Sequence, residues 1–157
     1  MYGDNEGDIS LWSIWGSSAS DVYVVGSATP EPGRYDSYVL HFDGVQWTTV
    51  PVPAYGATGF DFVWGASASD VYLEGGNNTE TVLLHYDGSQ WIQFGIDGIL
   101  GFGGLWGASG DDVFASGYTV EGGDYPGALI HLNGTSGVRL ETALGLRELG
   151  GVWGFRR

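Results

Sequence analysis

The sequence predicts an all-β protein built from repeated four-stranded antiparallel sheets, and three observations support this prediction. A Trp-Gly pair recurs four times, at 15–16, 64–65, 106–107 and 153–154. A second phrase follows the first three pairs, as "LHFDG", "LHYDG" and "IHLNG". Glycine accounts for 29 of 157 residues and aromatic residues for 15%, a composition typical of strands joined by tight turns.

Each repeat divides into four predicted strands. The first ends in the Trp-Gly pair, as in "GFDFVWG", and the second is "DVYVVG", "DVYLEG" or "DVFASG". Such β-branched and aromatic segments favour strands. The third strand is "YVLHF", "TVLLHY" or "ALIHL", and the fourth is "WTTVPV", "WIQFGI" or "GVRLETA". The Asp-Gly and Asn-Gly pairs predict a hairpin between the third and fourth strands. The link before the second strand, "SASD" in the first two repeats, predicts a tight turn in which Asp or Ser hydrogen-bonds the nearby backbone. The turn-forming aspartates are Asp21, Asp70 and Asp112, one in each repeat.

The third strand of the second repeat carries apolar bulk on both faces. Leu84 and its alternate neighbours point one way, whereas Leu83 and His85 point the other. A strand that is apolar on both faces is covered on both sides, as in radially stacked sheets. The Trp-Gly spacings of 49, 42 and 47 residues lie in the range of propeller blades, about 40–50 residues.

These patterns predict a partial β-propeller spanning residues 1–157. It has three four-stranded antiparallel blades, at about 9–53, 59–97 and 101–144, and the inner strand of a further blade at 148–157. Closed propellers have about four to eight blades, so we expect this chain to be part of a larger propeller.

The repeats resemble the short propeller repeats of large bacterial surface proteins, whose general form is W-G-S-S-x-x-D-V-x-x-V-G followed by L-H-Y-D-G-x-x-W. They are more distantly similar to kelch and Asp-box repeats. The third repeat departs from the pattern, because Asn133 replaces the aspartate and the closing tryptophan is missing. The resemblance implies a propeller fold and an extracellular or cell-surface location, and it implies activity only weakly.

Charge and composition exclude several classes of partner. The chain has 19 acidic residues, five arginines and no lysine, giving a net charge of −14. Such a chain repels nucleic acids and anionic membrane surfaces, whereas a sugar or a cation remains compatible with it. With no cysteine, disulfides and thiolate sites are excluded. The sequence shows no signal peptide and no run of transmembrane length.

The conserved slots of the repeat favour structural roles. Three histidines share one slot and predict local hydrogen bonding and packing between blades, since equivalent positions in neighbouring sheets lie too far apart to share a metal ion. The repeating tryptophans predict packing near the propeller axis, although stacking on a sugar is an alternative. Trp12 has no counterpart in the other repeats. The histidines are His41, His85 and His131, and the tryptophans are Trp15, Trp64, Trp106 and Trp153.

The repeats differ at one end of the blades, where the loops between the second and third strands and between blades emerge. Binding residues concentrate on loops held by a rigid scaffold, so this end is the predicted ligand-binding end. Aromatic and acidic groups there suit sugar stacking with acceptance of hydroxyl hydrogen bonds, or weak Ca²⁺ binding. The predicted site residues are Tyr35, Asp36, Tyr55, Asp61, Asn77, Asn78, Asp97, Glu121, Asp124 and Tyr125.

Three functions are compatible with this sequence. The first is a non-catalytic recognition or scaffold module that binds carbohydrate or protein at the variable-loop end. The second is a fragment of a glycan-acting propeller enzyme, although no catalytic motif occurs. The third is a structural piece that associates with itself through exposed blade edges. The sequence predicts no metal site and no cofactor, with weak Ca²⁺ binding left open.

Overall fold

The computed structural model describes residues 7–77, 79–96, 98–120, 124–140, 149–152 and 154, and these contain three four-stranded antiparallel sheets and no helix. Within each sheet, strands that follow one another in sequence are hydrogen-bonded neighbours. The predicted all-β class and the four-stranded repeat are thereby confirmed. Sheet 1 contains β1 (Asp8–Ser18), β2 (Asp21–Glu31), β3 (Arg34–Phe42) and β4 (Trp47–Thr49); sheet 2 contains β5 (Gly59–Ser67), β6 (Asp70–Gly76), β7 (Thr81–Tyr86) and β8 (Trp91–Phe94); sheet 3 contains β9 (Gly101–Ser109), β10 (Asp112–Tyr118), β11 (Gly127–Leu132) and β12 (Gly137–Leu140).

The predicted hairpins between third and fourth strands form around an aspartate or asparagine side chain. In sheet 1, Asp43 Oδ1 accepts hydrogen bonds from the backbone N–H groups of Val45 (2.8 Å) and Gln46 (2.9 Å). Gly44 adopts a positive φ of 93°, which a residue with a side chain rarely adopts. The same arrangement recurs at the other two hairpins, around Asp87 with Gly88 and around Asn133 with Gly134.

The Trp-Gly pair repeats because its two residues contact different sheets. The indole of Trp15 in sheet 1 lies over Gly65 of sheet 2, and a Cβ at Gly65 would come within 2.6 Å of the ring. Each tryptophan therefore needs a glycine at the matching position of the next repeat. The contact recurs at two further junctions: Trp64 with Gly107, and Trp106 with Gly154.

Sheet 2 is buried on both faces, as its third strand predicts. Leu84 belongs to an apolar core shared with sheet 1, which includes Val25 and Val39. Leu83, one residue earlier, belongs to a second core shared with sheet 3, which includes Ile130. All five side chains are at most 2% exposed. Because successive side chains of β7 point to opposite faces, sheet 2 contributes to both cores.

The histidines bond locally, as predicted, and their partners give the aspartates a second role. In each sheet, His Nε2 lies within hydrogen-bonding distance of the aspartate that opens the second strand. The predicted turn carries bonds from both residue types, since Ser20 N donates to Ser18 Oγ (3.2 Å) and Ser17 Oγ donates to Asp21 Oδ2. The aspartates are therefore also cross-strand partners of the histidines, which was not predicted. The pairs are His41–Asp21 (2.6 Å), His85–Asp70 (2.7 Å) and His131–Asp112 (2.8 Å).

The junction between sheets 2 and 3 adds polar contacts to this motif. Tyr72 stacks on His85 with ring centroids 4.2 Å apart, and its hydroxyl donates to Gly110 O at 2.6 Å. The other ring nitrogen of His85 lies 3.1 Å from Gly134 O. In sheet 2, Tyr72 and His85 of the Asp-His-aromatic set therefore also link this sheet to sheet 3.

Candidate functional site

A polar cleft lies at the end of the sheets that carries the variable loops, and it has a volume of about 300 Å³. All three sheets contribute to it. Sheet 1 supplies Trp12, sheet 2 supplies Asp61 and Glu74, and sheet 3 supplies Phe102 and Tyr118. The cleft is thus formed where the sheets meet.

A β-bulge in β5, the first strand of sheet 2, places Asp61 in the cleft. Phe60 pairs with Gly75 and Phe62 pairs with Glu74, so that Asp61 has no partner on β6. A bulge adds one residue to one strand and redirects its side chain, and bulges are common beside functional sites. The extra residue therefore lies in the ladder beside Glu74.

The bulge recurs in the other two sheets with different residues. In sheet 1 the unpaired residue is Trp12, and in sheet 3 it is Gly103. Trp12 therefore has positional counterparts, in contrast to the expectation from sequence. The sequence contains this correspondence, because Trp12, Asp61 and Gly103 each stand three positions before the Trp of the Trp-Gly pair in their repeat.

Glu74 is the most unusual side chain of the cleft. It is 3% exposed, and its Oε2 atom has no hydrogen-bond partner. Burial raises the pKa of this carboxyl to about 8, and the negative charge of Asp61 adds to the shift. A hydrogen bond from the Phe102 backbone opposes it. Glu74 is therefore protonated at neutral pH.

The sequence contained a signal for Glu74 that the predictions missed. Ten residues after the repeating Trp, the other two sheets have Val25 and Ser116. Val25 is fully buried and apolar, while Ser116 Oγ donates to Gly150 O at 2.6 Å. A glutamate in this slot breaks the repeat within a buried strand, and such a residue is a candidate for function.

Asp61 differs from Glu74 in its exposure. Partial burial also raises the pKa of Asp61. Asp61 is nevertheless exposed to solvent and lines the open cleft. Two neighbouring carboxyl groups therefore occupy unequal environments, one closed and one accessible.

Two of the predicted site residues line the cleft. These are Asp61 and Asn77. The Asn77 side chain organises the rim, because its Oδ1 accepts from Glu80 N (2.9 Å) and its Nδ2 donates to Gly56 O (2.9 Å). Glu80, at the same variable-loop end, also lines the cleft.

The other predicted site residues lie outside the lining of the cleft. Tyr35 and Asp36 are located at the start of β3, where Asp36 forms an ion pair with Arg34. Tyr125 is exposed and contacts the cleft residue Tyr118 edge-on. Tyr55 and Asp124 are exposed, and Asn78, Asp97 and Glu121 lie outside the described residues.

Among the residues that the structure describes, neither a metal-binding cluster nor a membrane-spanning helix is found. Among the described residues, no group of three or more His, Asp or Glu side chains could hold a metal ion. In the same part of the chain, no helix is long and apolar enough to cross a membrane.

Comparisons with protein-family models, with curated proteins and with solved structures found no match to this chain.

Proposed function

We propose that this chain is part of a β-propeller that acts as an extracellular recognition module and binds carbohydrate in the cleft between its blades. One observation supports this proposal above the others. Two slots at which the three sheets differ in chemistry, occupied in sheets 1 and 2 by Trp12, Asp61 and Glu74, converge on one cleft. Residues that maintain the fold repeat in every sheet, so residues that break the repeat and meet in space are candidates for binding.

The chemistry of the cleft suits a sugar. Trp12 is 51% exposed and offers an aromatic face, while Asp61 and Glu80 offer acceptors for hydroxyl hydrogen bonds. The volume of about 300 Å³ lies at the lower end of the range for small-molecule sites. A protein ligand remains the alternative occupant.

The propeller arrangement draws support from an exposed face of sheet 1. Leu11, Val24 and Leu40 line an apolar groove of about 360 Å³ on this face. Their counterparts in sheet 2 are Phe60, Leu73 and Leu84, which are fully buried against sheet 1. In a larger propeller, a further blade covers the groove in the same way. If copies of the chain supply that blade to one another, the mass in solution increases with concentration.

A glycan array tests the binding proposal. We expect the wild-type chain to bind a subset of glycans without cleaving them, and Trp12→Ala and Asp61→Asn to weaken binding about tenfold or more. Tyr35→Ala is the matched control, because Tyr35 is an exposed aromatic residue at the same end but outside the cleft. Equal binding by all variants, or no binding to any glycan, contradicts the proposal.

A second candidate function is glycan hydrolysis, and the unequal environments of Glu74 and Asp61 favour it. A protonated buried carboxyl beside an accessible one is the arrangement that acid–base catalysis uses in glycosidases. If a bound glycan is hydrolysed, and if Glu74→Gln and Asp61→Asn each abolish turnover, this function replaces simple recognition.

A further inference from the structure

The cleft is negatively charged. The carboxylates of Asp61 and Glu80 line it beside the protonated carboxyl of Glu74, and no Arg, Lys or His is found among its described lining residues. The whole chain has a net charge of −14. A concave site lined by charges of one sign attracts ligands of the opposite sign. A cationic ligand therefore has an electrostatic advantage over a neutral one.

The buried carboxyl of Glu74 requires a hydrogen-bond partner. Its Oε2 atom has none, and a buried polar atom without a partner destabilises the structure. The titratable groups around it in the cleft are Asp61 from β5, Glu80 before β7 and Tyr118 from β10, while β9 contributes the uncharged Phe102. These acidic neighbours do not supply a positive charge. A ligand that donates hydrogen bonds to Glu74 would remove the deficit.

A protonated amine fits this site better than a metal ion. Calcium requires six to eight oxygen ligands, and among the described residues no three acidic or histidine side chains are grouped to hold a metal ion. An ammonium group brings three donors of its own and needs few acceptors. It is also attracted to aromatic faces, which Trp12 and Tyr118 supply in this cleft.

We infer that the cleft selects a sugar that carries a protonated primary amine, with the ammonium group bound to Glu74 and Asp61 and the sugar ring against Trp12. This inference rests on the proposed carbohydrate function. The rim also carries the hydroxyls of Thr58 and Thr81. Thr58 Oγ1 donates its proton to Gly76 O (3.1 Å) but can still accept a hydrogen bond from a ring hydroxyl. The unbranched side chain of a lysine residue would leave those rim groups unused, and this favours a sugar over a lysine-bearing peptide.

Binding is coupled to the release of a proton. Burial raises the pKa of Glu74 to about 8, so the carboxyl carries a proton at pH 7. When the ammonium group binds, that proton passes to the buffer, and the resulting carboxylate pairs with the cation. A neutral sugar does not require this ionisation. Proton release that depends on Glu74 therefore distinguishes a cationic ligand from a neutral one.

Calorimetry with a matched pair of ligands tests the inference. The probes are the β-1,4-linked disaccharide of glucosamine and its N,N′-diacetylated form, which has the same ring skeleton without the charge. Titrations at pH 7 in buffers of different ionisation enthalpy give both affinity and proton release. Glu74→Gln keeps the shape of the side chain and removes its titration, and Asp61→Asn is a second variant at an accessible position. Far-ultraviolet circular dichroism verifies that both variants fold.

We expect the free amine to bind the wild-type chain at least about tenfold more tightly than the acetylated form. Glu74→Gln should remove most of this preference, and wild type should release about one proton more than the variant. If the acetylated sugar binds as well as the amine, or if proton release does not change in Glu74→Gln, the inference is wrong while the carbohydrate function stands. If neither sugar binds, the inference is wrong and the glycan array decides whether the carbohydrate function stands. If a lysine tripeptide binds more tightly than both sugars, the carbohydrate function also fails.

Discussion

Replacing Glu74 by glutamine is expected to change how the stability of this protein depends on pH. In the folded chain Glu74 is 3% exposed, and burial raises its pKa to about 8 from an ordinary value of 4.5. In the unfolded chain the carboxyl is ionised above about pH 4.5. Between these two values, folding takes up one proton. The free energy of unfolding therefore decreases as the pH rises, by about 1.4 kcal/mol per pH unit.

The contribution of Glu74 is fully present below its unfolded pKa and is lost as the pH rises through its folded pKa. Glutamine does not titrate, so it lacks this loss. The free energy of unfolding of Glu74→Gln, relative to wild type, should increase between pH 5 and pH 8 by roughly 3–4 kcal/mol. Urea unfolding followed by tryptophan fluorescence at pH 5, 6, 7 and 8 measures this difference directly.

Glu80→Gln is the matched control for this experiment. Glu80 lines the same cleft but is exposed, so Glu80→Gln makes the same chemical substitution without relieving a buried carboxyl. The free energy of unfolding of Glu80→Gln should stay within about 0.5 kcal/mol of the wild-type value at every pH. If Glu74→Gln also runs parallel to wild type, Glu74 is hydrated in solution and the reasoning from burial is refuted.

Two further predictions concern the contacts between sheets. Gly65→Ala should destabilise the chain by about 1–3 kcal/mol in urea unfolding, because its Cβ meets the ring of Trp15, whereas Gly95→Ala, whose Cβ has no neighbour within 4 Å, should stay within about 0.5 kcal/mol of wild type. Equal effects of the two changes would show that the indole does not constrain this position. His85→Ala should lower the free energy of unfolding by about 2–4 kcal/mol, because it leaves a buried network incomplete. His131→Ala should cost clearly less, since the side chains of His85 and His131 are 9% and 36% exposed; a reversed order would contradict the proposed role of burial.

The repeated sheets could be predicted from sequence because their causes are local or identical at every junction. The Asp43 hairpin depends on residues within four positions of one another. The Trp15–Gly65 contact joins different sheets, but the same contact recurs wherever two sheets meet, so it appears in the sequence as a repeated pair.

The hydrogen bonds between the aspartates and the histidines could not be predicted in the same way. Asp21 lies beside a turn in sequence, and its bond to His41 joins residues 20 positions apart. The repeat showed that both residues recur, but the register between β2 and β3 decides that they meet.

The sequence by itself determined the sheets, their hairpins and the glycines beneath the tryptophans, since a contact required at every junction leaves a periodic pattern. Only the tertiary structure decided the cleft. Trp12 breaks the period in the first repeat and Asp61 and Glu74 break it in the second, and a bulge on β1, a bulge on β5 and the packing of β9 on β6 bring them to one cleft. Burial by residues from other sheets then sets the protonation of Glu74, and no single stretch of sequence contains that information.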